Sequence, residues 1–427
     1  MREDFLHFAW QHLHFNTVNL RLTNGDSLTL LKVGEHNLNS GPDFGQSRIK
    51  INGLEWMGNT EIHIKSSDWN VHKHQYDPAY NGVVLHVVYD YDLDIFREDG
   101  TLVPTLELKS ILDLELLDHY ETFLMSYDEI ICSRHWNEVP IVIKVNAIEK
   151  ALVERLEMKS KVVQDLYDDS RGDWDEISFR LLGQNFGFKI NKHPFQLLVE
   201  SVPLNIVRKL ESLDRVEALL FGQAGFLTGK SIDAYHAKLK NEYLFLKRKF
   251  NLKSNVLKES VWKFGKLRPP NFPTIRIAQL AAIVNNNHLF ELLTQGSLLE
   301  LKQKLKISAS DYWQHHYKFG VETNRKYPGM GNASLDILIV NTTIPLLIAY
   351  SKIHQKEEMV EQALGYLQMI KPESNRVVRK WEALGYVCES SADSQGVLEL
   401  FQSYCAKKKC LNCNIGTSIL NKTASNG

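Results

Sequence analysis

Acidic and basic side chains alternate along one predicted strand of the chain. Glu61, His63 and Lys65 are separated by isoleucines, so on a strand the three polar side chains share one face. Asp43 follows a Gly-Pro turn at the entry to the preceding strand. Two carboxylates on neighbouring strands can share Mg²⁺, a hard cation that prefers oxygen ligands. We therefore predict Asp43 and Glu61 as metal ligands, with His63 or Lys65 orienting water or stabilising the transition state.

This arrangement resembles the core of the PD-(D/E)xK nuclease superfamily, in which a helix precedes a three-stranded meander that carries Asp and Glu-x-Lys. Pro42-Asp43 supplies the first element and Glu61-x-His63 the second, with His63 in the place of lysine and Lys65 displaced by one strand repeat. The resemblance implies a restriction-endonuclease-like fold and a Mg²⁺-dependent nuclease. From the residues alone, a sheet with a solvated polar face and no catalytic role is the alternative.

Histidines near this strand offer a second interpretation of the same region. His63, His72, His74 and His86 can bind Zn²⁺, Mn²⁺ or Fe²⁺ through their imidazole nitrogens, which suits a transition-metal hydrolase. Histidines in ordinary hydrogen bonds are the competing explanation.

Three cysteines lie close together near the C-terminus, in the pattern Cys405-x4-Cys410-x2-Cys413. The Cys-x2-Cys step lets two sulfurs face one ion, so we predict a zinc ion or an iron–sulfur cluster at these cysteines. A fourth ligand is required, and Cys132, Cys388 and a histidine are candidates. Reduced, unligated thiols are the alternative.

Basic and aromatic residues are interleaved between residues 237 and 268, where ten Lys or Arg stand against two Glu. Lysine and arginine can contact phosphates, and aromatic rings can stack on unpaired bases. This pattern makes the segment, together with the residues that follow it as far as Arg276, a candidate surface for DNA or RNA. Its candidate contacts are Lys247, Arg248, Lys249, Arg268 and Arg276. Amphipathic helices with lysine on their outer faces explain the same pattern without a ligand.

Hydrophobic periodicity predicts an α+β protein. Residues 3–15 have helical spacing, and short strand-like runs separated by turn signals follow as far as residue 108. Asn52-Gly53 between two such runs predicts a tight antiparallel hairpin. From about residue 141 the pattern becomes helical. We predict a mostly antiparallel sheet domain at residues 1–140 and a helical region at residues 141–427.

Composition indicates an ordinary globular protein. The 427 residues include 50 Lys or Arg and 51 Asp or Glu, so the whole chain has no bias towards anionic partners. The first residues lack the apolar run of a signal peptide, and the apolar stretch at residues 335–350 is interrupted by polar side chains. Five cysteines do not suggest a secreted disulfide framework. We expect a cytoplasmic protein with no membrane span.

Several motifs together resemble the bacterial domain-of-unknown-function family 2851. They are Asn39-Ser-Gly-Pro-Asp-Phe44, Gly58-Asn-Thr-Glu-Ile-His63, Ser67-Asp-Trp69, His72-x-His74, Leu85-His-Val-Val88, Arg268-Pro-Pro-Asn-Phe-Pro273 and Cys405-x4-Cys410-x2-Cys413-Asn-Ile-Gly416. The resemblance spans nearly the whole chain and supplies no catalytic residues. Three functions therefore stay open: a Mg²⁺-dependent nuclease, a non-catalytic nucleic-acid-binding or scaffold protein, and a histidine-ligated metal hydrolase.

Overall fold

The computed structural model of the chain describes residues 1–37, 40–252, 256–285, 288–324, 326 and 329–425. The remaining residues, among them Asn39 of the Asn-Ser-Gly-Pro-Asp motif and Lys253 of the basic segment, lie outside the described residues. Helices make up 55% of the structure and strands 12%, with the sheet in the N-terminal part. The predicted α+β class is confirmed.

The chain forms two compact units. The first contains residues 1–148 together with 400–427, and the second contains residues 149–399. The elements of the first unit up to residue 124 are α1 (Glu3–His12), β1 (Leu28–Lys32), β2 (Glu35–His36), β3 (Phe44–Ile51), β4 (Leu54–Lys65), α2 (Asp68–Val71), β5 (Val83–Asp90), β6 (Thr105–Glu107) and α3 (Leu114–Leu124).

The sheet of the first unit has the order β1-β3-β4-β5-β6, with β2 paired to β3. The pairs β1–β3, β2–β3 and β3–β4 are antiparallel, whereas β4–β5 and β5–β6 are parallel. The antiparallel part is a meander preceded by a helix, as predicted. Parallel strands need a crossover connection, and residues 66–82 form it between β4 and β5.

The hairpin between β3 and β4 forms where the sequence predicts it. Asn52 and Gly53 have φ angles of 50° and 84°, and the strands on either side pair Ile51 with Leu54. Positive φ at both central residues is the geometry of the two-residue turns that match strand twist, and it favours Asn-Gly. The prediction of a tight hairpin is confirmed.

One face of the sheet packs against α1. The helix buries Phe5, Phe8 and Trp10 against strand residues such as Ile62 and Val87. The opposite face is covered by the crossover connection, where a smaller cluster forms around Trp69 and Val83. Both faces of the central strands are therefore covered, which explains why β4 is buried from Thr60 to His63.

The second unit is helical and has its own hydrophobic core. The elements from residue 141 to residue 399 are α4 (Ile141–Asp169), α5 (Trp174–Phe186), α6 (Lys192–Glu200), α7 (Leu204–Val207), α8 (Leu213–Gln223), α9 (Ala234–Lys249), α10 (Pro273–Val284), α11 (Leu289–Thr294), α12 (Leu298–Leu305), α13 (Asp311–His315), β7 (His316–Lys318), β8 (Val321–Glu322), α14 (Asn332–Asn341), α15 (Thr343–His354), α16 (Glu357–Met369), α17 (Arg376–Ala383) and α18 (Ser391–Glu399).

The end of the chain belongs to the first unit. A π-helical turn at Leu400–Cys405 leads to a 3₁₀ turn at Cys410–Asn412 and then to α19 (Asn414–Ser425). Leu411 and Leu420 are buried in the same core as α1 and the sheet. The C-terminal segment is therefore part of the hydrophobic core of the N-terminal unit.

Among the described residues, the helical stretch Asn332–His354 is long and apolar enough to cross a membrane. It comprises α14 and α15, and 67% of its apolar window is buried inside the protein. A core helix can have the same length and composition, so this is weak evidence for a membrane span.

Candidate metal centre

Glu61 and His63 lie on one face of β4, and His86 lies on the same side of the neighbouring strand β5. The parallel register pairs Glu61 with His86, so their side chains project from the sheet next to each other. The exposed fractions of Glu61, His63 and His86 are 4%, 1% and 0%. This polar face is therefore covered. The alternative interpretation of the sequence, a polar face without a catalytic role, expects it to be solvated.

The crossover connection supplies two further histidines. Trp69 anchors it, because the buried indole donates a hydrogen bond to a backbone carbonyl at 3.2 Å. His72 and His74 follow, separated by Lys73, whose φ of 63° is in the left-handed region. The turn at Lys73 directs both imidazoles towards His63, with ring-centroid distances of 5.0 Å for His72 and 5.3 Å for His74.

The ligand atoms of His63, His72 and His74 lie within 4.8 Å of one another. His63 Nε2 is 3.1 Å from His72 Nδ1, and Glu61 Oε1 is 3.6 Å from His63 Nε2 and 3.4 Å from His74 Nε2. Zinc–nitrogen bonds of about 2.0–2.1 Å place tetrahedral ligands about 3.3–3.4 Å apart. The convergence of the three imidazoles therefore suits a single transition-metal ion, with Glu61 beside it.

Hydrogen bonds alone leave part of this cluster unsatisfied. A chain of contacts links His86 Nε2 to His63 Nδ1 at 2.8 Å, and His63 Nε2 to His72 Nδ1 at 3.1 Å. With one proton on each ring, this chain satisfies His63 without any ion. The Nε2 atom of His74, however, is buried, and its contact with Glu61 Oε1 at 3.4 Å lacks good hydrogen-bond geometry. A metal ion bound together with His63 and His72 would satisfy this nitrogen.

Burial keeps the deepest histidines neutral, which is the state that binds metal. Desolvation, reinforced by the charges of His74 and His72, lowers the pKa of His63 to about 3. Burial also lowers the pKa of His86 well below its usual value. Burial raises the pKa of the Glu61 carboxyl, which makes it a stronger base. His86 contacts the Nδ1 atom of His63, whereas the Nε2 atom of His63 faces His72. His86 therefore has the position of a partner that orients His63 and not of a metal ligand.

The two predicted acidic ligands also meet. The backbone N–H of Asp43 donates to Glu61 Oε2 at 3.0 Å, and the backbone N–H of Ile62 donates to Asp43 Oδ2 at 2.9 Å. These crossed hydrogen bonds hold both carboxyl groups at the same end of the sheet. Glu61 therefore takes part in two arrangements: its Oε2 atom contacts Asp43, and its Oε1 atom contacts the histidines.

Helix α1 adds two residues that the sequence interpretation missed, Glu3 and His7. His7 Nε2 lies 3.2 Å from Asp43 Oδ2. Burial opposes both shifts, but the contact between these two side chains raises the pKa of His7 and lowers the pKa of Asp43. Burial raises the pKa of Glu3 to about 7, and the neighbouring carboxylates add to the shift. The signal was present in the sequence, because residues four apart on a helix share one face.

Lys65 lies on the same strand face, but its side chain is exposed at the end of β4. Its backbone N–H donates to Asp68 Oδ2 at 3.0 Å, which closes the turn into α2. His63 is therefore the neighbour that contacts Glu61. A catalytic role for Lys65 remains a prediction.

The predicted cysteine ligands lie in the first unit. Cys410 and Cys413 are buried, and Cys405 is half-buried. Cys132, one of the two cysteines proposed as a fourth ligand, belongs to the same unit, whereas Cys388 belongs to the second. Metal binding at these cysteines remains a prediction.

The predicted nucleic-acid contacts differ in exposure. Lys247, Arg248 and Lys249 form the last turn of α9, where Arg248 and Lys249 are exposed. Arg268 is exposed before α10, whereas Arg276 on α10 has only 4% of its surface accessible. A role of these residues in binding DNA or RNA remains a prediction, and Arg276 differs from the others because it is buried.

Comparison with known proteins places the chain in a family. Residues 3–376 match the model of the family described as "Protein of unknown function (DUF2851)", so the chain belongs to that family. No curated protein and no solved structure matches the chain. The matched region includes the acidic pair and all the histidines of the candidate metal centre, and it ends before the C-terminal cysteines.

Proposed function

We propose that this protein is a hydrolase whose catalytic metal is a transition-metal ion bound by His63, His72 and His74. The observation that carries the proposal is the convergence of three imidazole nitrogens within 4.8 Å of one another. Imidazole ligands favour Zn²⁺, Mn²⁺ or Fe²⁺ over Mg²⁺, which prefers oxygen. Three protein ligands leave a coordination position for water, as catalytic zinc sites do.

Glu61 is the proposed general base. Its Oε1 atom lies beside the ligand nitrogens, and its raised pKa favours proton uptake. The bound metal would lower the pKa of a coordinated water molecule, and Glu61 would accept its proton. His72 is exposed, so the site is open to solvent and substrate on that side.

The test uses the full-length protein and the phosphodiester probe bis(4-nitrophenyl) phosphate. We expect the purified protein to retain about one equivalent of transition metal at the histidines, in addition to metal at the cysteines, and to hydrolyse the probe. His72→Gln should lose metal and activity together, while His193→Gln, an exposed histidine of the second unit, should lose neither. Activity that persists in His72→Gln after removal of transition metal would exclude the proposal.

A Mg²⁺-dependent nuclease is the second candidate, and the crossed hydrogen bonds of Asp43 and Glu61 favour it. In that function Asp43 and Glu61 hold Mg²⁺ through oxygen, and His63 takes the place of the lysine in the PD-(D/E)xK pattern. DNA or RNA is then the substrate, with the exposed basic residues of α9 and Arg268 as candidate contacts.

The two candidates predict opposite results for two variants. A nuclease that uses Mg²⁺ loses activity in Asp43→Asn and tolerates His72→Gln, and it requires added Mg²⁺. A histidine-ligated enzyme loses activity in His72→Gln and keeps bound metal in Asp43→Asn. Single-stranded and double-stranded DNA and RNA are assayed together with the chemical probe. Absence of hydrolysis with every metal would leave a binding or scaffold function.

A further inference from the structure

Arg276 is a buried cation without a counter-ion. It lies on α10 with 4% of its surface exposed, and none of the described carboxylates forms an ion pair with it. Its guanidinium donates instead to neutral oxygens of Gln279, Asn271 and Ser334, at 3.0, 2.6 and 3.2 Å. Burying a charge without an opposite charge is costly, so such residues are usually paired or bind a ligand.

The guanidinium retains donors for another partner. Arginine has five N–H groups, and three hydrogen bonds leave two of them unused. The Nε atom is buried without a partner among the described residues. Its environment therefore contains unsatisfied hydrogen-bond donors next to an unbalanced positive charge.

A cavity of about 260 Å³ lies next to these donors. Its walls are mostly apolar and include Phe186, Phe195 and Ile337, and Arg276 lines the same cavity. Phe188 stacks on the guanidinium at 4.7 Å from the ring centroid to Cζ, in a backbone conformation with φ of 48°. A left-handed phenylalanine is strained, and such strain often occurs at ligand sites.

We propose that this cavity binds a small organic carboxylate, with the carboxyl group on Arg276 and an apolar body against the phenylalanine side chains. Both Nη2 protons are used by Asn271 and Ser334, so the carboxylate would accept from the unpaired Nε–H in a single charge-assisted hydrogen bond. The cavity volume is slightly below the roughly 300–1,000 Å³ of typical ligand pockets, which favours a small metabolite. The site lies in the helical unit and is independent of the histidine cluster.

The test is calorimetric titration of the full-length protein with phenylacetate, phenylacetamide and inorganic phosphate. We expect one phenylacetate per chain and no binding of the neutral amide. Arg276→Met should weaken phenylacetate binding about 10- to 100-fold, because it removes charged hydrogen bonds. Arg268→Met, which changes an exposed arginine, should bind as the wild type does.

Arg276→Lys keeps the charge but loses the buried Nε–H donor, so its affinity should be intermediate. This variant decides the question if Arg276→Met does not fold into a native structure. Equal binding of acid and amide by the wild type, unchanged affinity in the variants, or binding of phosphate alone would overturn the carboxylate proposal.

Discussion

The histidine cluster and the cysteine cluster occupy the same unit but are built differently. The three proposed histidine ligands come from 12 consecutive residues, in β4 and its crossover connection, and His72 opens the cluster to solvent. The cysteines come from separate parts of the chain, Cys132 and the C-terminal segment, and are mostly buried. An open metal site can exchange water and substrate, whereas a closed one connects chain segments. We therefore propose chemistry for the histidines and expect a structural role for metal at the cysteines.

The largest expected effect follows from Glu61→Gln, which tests the proposed catalytic role of the histidine cluster. Loss of the general base should reduce hydrolysis of bis(4-nitrophenyl) phosphate by about 10²- to 10⁴-fold with bound metal retained. Glu55→Gln, on the same strand but exposed and paired with Arg48, is the matched control. Equal activity of the two variants in steady-state assays would remove Glu61 from the mechanism.

His86→Asn tests whether the buried His86 orients the imidazole of His63 for metal binding. Removal of an outer partner that orients a ligand usually costs about 10- to 100-fold in metal affinity. We expect a loss of this size in competition titrations with a chromogenic chelator. His193→Gln serves as the control, and an affinity equal to that of the wild type would show that His86 has only a packing role.

Metal removal should affect the two clusters differently. Mild chelation should abolish hydrolysis and leave the unfolding temperature almost unchanged, because the histidine site is open. Loss of the metal predicted at the cysteines should lower the unfolding temperature of the first unit by several degrees, since about 1 kcal/mol corresponds to roughly 2–4 °C at this size. Differential scanning calorimetry before and after each treatment measures both effects. The reverse pattern would invert the assignment of chemistry and stability.

The smallest effect is expected at Lys73, whose left-handed conformation turns the chain between His72 and His74. Lys73→Gly suits this conformation, so metal affinity should change less than about threefold and stability by less than about 1 kcal/mol. Lys73→Val disfavours it and should weaken metal binding more than tenfold. Similar affinities of both variants in the chelator titration would show that the turn does not position the histidines.

Local signals in the sequence predicted much of the first unit. Asn52-Gly53 predicted a hairpin, and alternation along β4 placed Glu61 and His63 on one face, because turn chemistry and side-chain period act over a few residues. The parallel pairing of β5 with β4 was not predicted. It depends on the path of the crossover connection, which tertiary packing determines.

The same distinction applies to the site. The sequence named His63, His72, His74 and His86 as one group, but it could not separate the outer partner His86 from the three ligand candidates. That difference arises from depth in the fold. Likewise, Glu3 and His7 reach the acidic pair only because α1 packs on the sheet, and Cys132 joins the C-terminal cysteines only because the chain returns to its first unit.

The central claim is that one transition-metal ion binds to three histidines, and anomalous X-ray diffraction tests it most directly. Crystals of the full-length protein grown with Zn²⁺ would be measured on both sides of the zinc absorption edge. The account predicts an anomalous peak about 2.0–2.1 Å from His63 Nε2, His72 Nδ1 and His74 Nε2. Absence of a peak at these nitrogens, or a peak bound only to the oxygens of Asp43, would contradict it.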